Sequence, residues 1–276
     1  LNDDNLIEND DFIVEDHPQF NKLIDEIENS KVQYLFTMGK GGVGKTTVAT
    51  QLATTLSNKG YRVLLATTDP TKEINVETTS NLNTAYIDEE QALEKYKKEV
   101  LATVNDDTPQ DDIDYIMEDL KSPCTEEIAF FKAFSDIMEN QDDMDYVIVD
   151  TAPTGHTLLL LDSSENHHRE LKKKSTQTTS NVETLLPKIQ NKNLTQMIIV
   201  TLAEKTPYLE SKRLVEDLNR ANIGHNWWVV NQSLVTLNQR DDLFSNKKED
   251  ESFWINKIKN ESFDNYFVIP YRISEY

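Results

Sequence analysis

Four of the chain's seven glycines, Gly39, Gly41, Gly42 and Gly44, stand together, and the other three are scattered over the rest of its 276 residues. They punctuate Gly39-Lys40-Gly41-Gly42-Val43-Gly44-Lys45-Thr46, which has the spacing G-x-x-x-x-G-K-[ST]. The apolar run Val32 to Met38 precedes the cluster, and a helix-forming run, Thr47 to Leu56, follows it. Strand, glycine loop, helix is the context in which this spacing has a physical meaning. Glycines let successive N–H groups turn inward, and the start of the helix adds partial positive charge, so the segment is built to surround phosphate oxygens. Lys45 reads as the charge bridging the terminal phosphates and Thr46 as a Mg2+ ligand, with Val43 and Thr47 completing the cradle. The expected ligand is ATP or a close relative, with magnesium.

The rest of the chain repeats the same alternation. Short apolar, β-branched runs recur at Tyr61 to Thr67, Tyr146 to Val149, Met197 to Leu202, Trp227 to Val230 and Tyr266 to Ile269, separated by longer amphipathic stretches. Runs that are apolar on both faces belong in a parallel sheet covered by helices, so the expected fold is α/β, a doubly wound, mostly parallel sheet. Thr206-Pro207 reads as a helix cap with a first-turn proline, and Gly60 and Gly224 read as helix ends. Asp88 to Leu101 and Pro109 to Glu139 read as a helical insertion, about residues 88–139, between the second and third strands. Residues 31–276 are expected to form this domain, with 1–30 an acidic linker running into a short helix at Phe20 to Ile27.

Two aspartates leave the carboxyl ends of predicted strands. Thr67-Thr68-Asp69-Pro70 follows the second, and Asp150-Thr151-Ala152-Pro153-Thr154-Gly155-His156-Thr157 follows the third. In an open α/β sheet that edge carries the ligand, so both carboxylates should converge on the glycine loop. Asp150 is assigned to magnesium, directly or through water, and Asp69 to orienting the attacking water. Lys40 is an additional charge that a self-contained loop does not require, so its side chain can serve beyond its own nucleotide.

Composition narrows the partners. The net charge of −21 opposes binding to nucleic acid or anionic lipid, which depends on basic surface. No apolar run approaches the ~20 residues of a membrane helix. Cys124 is the single cysteine, which rules out an internal disulfide framework and fits a reducing, cytoplasmic compartment. The acidic start, which lacks an initial methionine, reads as the cut end of a longer polypeptide; a trimmed acidic tail fits the composition equally well.

Lys-Gly-Gly-x-Gly-Lys-Thr, beginning at Lys40, resembles the deviant Walker A loop. That loop is shared by nitrogenase iron protein, partition and cell-division ATPases, tail-anchored-protein targeting ATPases and arsenical pump ATPases. The block Asp150 to Thr157 narrows the resemblance. So do Ser122-Pro123-Cys124-Thr125-Glu126-Glu127-Ile128-Ala129, the stretch Leu158 to Lys173 with His168-Arg169-Glu170, and Asn231-Gln232-Ser233-Leu234. Together they look like the arsenical pump-driving ATPases, the ArsA family, and its carboxyl-terminal half in particular, from about Val32 to Tyr271.

The resemblance implies ATP hydrolysis that drives export of arsenite or antimonite through a membrane pump, with the chain peripheral to the membrane through that partner. It implies a homologous amino-terminal half or a second copy, with Lys40 reaching nucleotide across the interface. Cys124, and less strongly His168, match metalloid-binding positions, which would make arsenite or antimonite an activator; trivalent arsenic and antimony are thiophilic. Ser122-Pro123 reads as a cap and first-turn proline, which sets Cys124 at a helix amino terminus favouring its thiolate. Asn231 matches the family's adenine-contacting asparagine, and Pro270-Tyr271-Arg272 the same pocket. Two alternatives remain. One is a nucleotide-gated clamp with little turnover, suggested by Thr71 to Asn75, where the family shows a different sequence after Asp-Pro. The other is a tail-anchored-protein targeting ATPase, against which stand the missing paired-cysteine motif and the polar stretch Ser175 to Asn193.

Overall fold

A computed structural model describes residues 18–67, 80–105, 108–139, 143–150, 187–236 and 242–271. The apolar runs form the strands β1 (Tyr34–Met38), β2 (Val63–Thr67), β3 (Leu82–Tyr86), β4 (Tyr146–Asp150), β5 (Thr195–Leu202), β6 (His225–Ser233) and β7 (Tyr266–Pro270). They make one sheet in the order β3-β2-β4-β1-β5-β6-β7, with every pair parallel. Side chains alternate across it. Leu35, Ile148, Ile198 and Val200 enter one apolar layer, and Phe36, Met38, Val149 and Ile199 enter the other.

Helices α1 (Pro18–Asn29) and α2 (Lys45–Asn58) cover the first layer. The apolar spacing of Phe20, Leu23, Ile24 and Ile27 puts all four on one face of α1, and all four are fully buried. Each contributes about 1.5–3 kcal/mol of burial before its entropy cost. Phe20 meets Phe267 edge to face, and Trp227 Nε1 donates to Glu26 at 2.8 Å. After α3 (Glu89–Leu101) and α4 (Gln110–Asp119), helices α5 (Pro123–Glu139), α6 (Lys205–Arg220) and α7 (Asp242–Glu261) supply Phe134, Tyr208, Leu218, Ile255 and Ile258 to the second layer. Among the described residues no helix is long and apolar enough to cross a membrane.

The expected doubly wound parallel sheet is present, with four local corrections. β3 has no counterpart in the predicted strands: it is an edge strand with Asn83 and Thr84 exposed, so it lacks the apolar run that marks the others. The helical insertion consequently lies between β3 and β4, and its second part is divided into α4 and α5 around Leu120 to Ser122. α6 starts at Lys205, with Glu204 at the cap, so Thr206 is inside the first turn and Pro207 remains in it. At the other end of α6 the left-handed residue is Asn222 at φ 55°, not Gly224. Its amide donates to Asn219 O and the Ile223 amide to Leu218 O, closing the helix as Gly60 closes α2.

Candidate functional site

β1 delivers the chain to the glycine loop at the carboxyl edge of the sheet, and the loop is seated against its neighbours. Gly39 has φ 153° and lies so close to β5 that a Cβ there would be 2.1 Å from Val200 O. Gly44, at φ 92°, caps α2, and a Cβ on it would be 2.0 Å from the side-chain nitrogen of Asn231. Asn231 is buried two residues before the end of β6. Its Nδ2 donates to Val43 O at 2.9 Å, and its Oδ1 accepts from the Gln232 amide at 2.9 Å. A side-chain amide has two donors and two acceptor lone pairs, so one of each remains for a ligand.

Val48 N–H makes the first bond of α2, to Gly44 O at 3.2 Å. Helix geometry leaves the amides of Thr46 and Thr47 directed at the loop, where an anion is favoured. Lys45 Nζ donates to Lys40 O at 3.1 Å, and Lys40 Nζ pairs with Glu210 Oε1 on α6 at 3.1 Å.

Asp150 closes β4 level with Thr37 of β1 and Thr67 of β2. It is 1% exposed. Thr67 Oγ1 donates to its Oδ2 at 3.2 Å, and its Oδ1 has no hydrogen-bond partner among the described residues. A buried carboxylate oxygen without a donor is costly, and a hard cation or the water bound to one is the partner that suits it. Asp150, with Thr46 in the first turn of α2, therefore fits a magnesium site. Among the described residues no cluster of three or more metal-binding side chains occurs.

Beside the loop is a cavity of about 310 Å3 lined by Thr47, Gln51, Asn231, Gln232, Ile269, Pro270 and Tyr271. Thr47, Asn231, Pro270 and Tyr271 are expected from the sequence; Gln51, Gln232 and Ile269 are not, because no spacing links them. Asp69, His168, Gly155, His156, Arg272 and Thr71 to Asn75 lie outside the described residues. Cys124 is the second residue of α5, and its side chain is likewise outside them.

A family model described as anion-transporting ATPase matches residues 32–186 and again 163–275. The chain belongs to this ArsA ATPase family. It is 38% identical over 257 residues to an arsenical pump-driving ATPase of Acidiphilium multivorum, across 92% of this chain and 44% of that protein. It is 37% identical over 264 residues to an arsenical pump-driving ATPase of Escherichia coli, across 94% of this chain and 45% of that protein. An ATPase ASNA1 homolog of Plasmodium falciparum is 28% identical across 90% of this chain and 73% of that protein. The chain thus spans less than half the length of these two arsenical pump-driving ATPases. The all-parallel α/β sheet with its glycine loop is the fold of an ArsA-family ATPase domain.

Proposed function

We propose that this chain is an ATP-hydrolysing unit of an arsenite or antimonite export system. The observation that carries the ATP-hydrolysing part is Asp150, a buried carboxylate with an oxygen unpaired among the described residues, level with the end of the strand that leads into the glycine loop. The triphosphate occupies the loop from Gly39 to Thr47, and the base occupies the cavity between Asn231 and Pro270. Thr46 and Asp150 would hold Mg2+, which when bound neutralises charge on the β- and γ-phosphates. Lys45 offsets charge on the same oxygens, and Asp69 orients the attacking water. Lys40 acts on the nucleotide of a second copy or homologous half, so turnover requires pairing. Cys124, with His168, binds arsenite or antimonite and favours that pairing. A membrane pump receives the metalloid, and the chain remains cytoplasmic and peripheral. Support for this comes from the names of the relatives and from the match of Cys124 and His168 to the family's metalloid positions.

The test is phosphate release from Mg-ATP, with and without antimonite, by the chain alone and joined to a companion half. Lys45→Ala should lower turnover at least ~100-fold, the scale on which electrostatic stabilisation of a transition state acts. Cys124→Ser should leave basal turnover unchanged and weaken the antimonite response. Equal turnover by wild type and Lys45→Ala sinks the hydrolysis reading, and an undiminished antimonite response in Cys124→Ser sinks the metalloid reading alone.

A further inference from the structure

The turn that follows β6 is held by a buried carboxylate that the nucleotide reading does not use. Glu251 of α7 is 4% exposed. Its Oε2 accepts hydrogen bonds from the Ser233 hydroxyl and the Leu234 amide, both at 2.8 Å. Ser233 Oγ accepts from the Val235 amide at 3.2 Å, and Ser233 O accepts from the Tyr271 amide at 2.9 Å. Just upstream, Gln232 is left-handed at φ 55°. The register of β6 against β7 shifts between Val230 and Ser233, which sets Ser233 level with Pro270. Ser233 therefore joins the two walls of the cavity, Asn231 and Gln232 on one side, Pro270 and Tyr271 on the other.

Packing alone does not call for a carboxylate at this position. The other inward residues of α7, Ile255 and Ile258, are apolar, and burying a carboxylate is costly unless donors converge on it. Here two donors do converge, both from the turn that shapes the cavity. We propose that Glu251 is a positioning residue for the nucleobase: through Ser233 it fixes the two walls against each other and so sets affinity for the base. This rests on the nucleotide reading above. Glu251 itself bonds only Ser233 and Leu234 in the turn, whereas the phosphate loop rests on Val200 of β5 and on Asn231 within β6, ahead of the turn, so the effect should fall on the base rather than on the phosphate cradle.

The experiment compares Mg-ATP with inorganic tripolyphosphate, which reads the cradle without the base, by calorimetry on wild type, Glu251→Leu, Glu251→Gln and Ser233→Ala. Glu251→Leu should bind ATP about tenfold more weakly, the scale of one lost acceptor for buried donors, with tripolyphosphate affinity unchanged. Glu251→Gln keeps an oxygen for both donors and should rescue ATP binding. Ser233→Ala removes one donor and should weaken ATP selectively by about threefold, so it decides the matter if Glu251→Leu does not fold. Unchanged ATP affinity in Glu251→Leu, or parallel loss of both ligands in either variant, overturns the proposal. Wild type that binds no ATP overturns the nucleotide reading itself, and the Glu251 assignment with it.

Discussion

Gly39→Ala asks whether the first glycine of the loop is dictated by the sheet as well as by a ligand. The added Cβ would sit 2.1 Å from Val200 O and 3.2 Å from its carbonyl carbon. Val200 is fully buried in β5, which is paired on both sides by β1 and β6, so that oxygen has no room to retreat. Forcing a methyl group into such an interior costs about 1–3 kcal/mol. Holding an L-residue at φ 153° costs about 1–3 kcal/mol more. The sum, about 2–6 kcal/mol, is a large share of the ~5–15 kcal/mol that keeps a domain folded. Gly41→Ala is the internal control, since a Cβ there meets nothing within 4 Å. Urea denaturation without nucleotide should show Gly39→Ala with a midpoint lower by about 0.7–3 M at a slope of ~2–3 kcal/mol/M. Gly41→Ala should stay within about 0.5 kcal/mol of wild type. Identical midpoints for Gly39→Ala and Gly41→Ala would refute the argument.

Two further outcomes follow from single groups. Asp150→Asn removes a buried charge whose Oδ1 is unpaired among the described residues, so the nucleotide-free protein should melt no lower than wild type while Mg2+-dependent turnover falls at least ~100-fold; a markedly lower melting temperature would contradict the view that Asp150 serves a ligand. Glu261 is held below its ordinary value of 4.5 by the hydrogen bond from the Lys212 ammonium, against the opposing effect of burial and with help from the Tyr208 hydroxyl. Its unfolded carboxyl takes up protons at a higher pH than the folded one, so its contribution is present above about pH 4.5 and fades as pH falls through the folded value. Glu261→Gln should accordingly lose less stability than wild type on acidification below that pH, and parallel acid unfolding curves would dismiss the assignment.

The sheet was legible in the sequence wherever strands are buried on both faces, because β1, β2, β4, β5, β6 and β7 each carry an apolar run longer than chance turns allow. β3 was not, since an edge strand need not be apolar and Leu82 is its only buried residue. The phosphate loop was legible for a different reason: its backbone conformations demand glycine, and the chain uses glycine almost nowhere else. The end of α6 misled because asparagine also tolerates the left-handed region, and Asn222 stands ahead of the more conspicuous Gly224. The cavity was half legible. Asn231 and Pro270 came from a family motif, but Gln51, Gln232 and Ile269 meet only after α2, β6 and β7 are packed. Glu251 carries no signal at all, because its partners Ser233 and Leu234 are set by a left-handed residue and a register shift that a single sequence does not display.

The position of β1 explains why the chemistry collects where it does. α2, which follows β1, lies on one face of the sheet, and α6, which follows the adjacent β5, lies on the other. Their departures to opposite faces open a crevice above the carboxyl ends of the two strands. The loop in that crevice is keyed from the β5 and β6 side, through Gly39 on Val200 and Val43 on Asn231, while Asp150 arrives from the β4 side. Buried contacts thus fix the loop's backbone. Its two lysines are held differently. Lys45 folds its ammonium back onto the loop's own carbonyl at Lys40, whereas Lys40 points away to Glu210 through a pair 43% and 39% exposed. An exposed pair of this kind is worth about 0–1 kcal/mol, so Lys40 can be redirected at small cost while the backbone that carries it cannot. A lysine needed only for its own phosphate gains nothing from that arrangement; one proposed to act across an interface requires it.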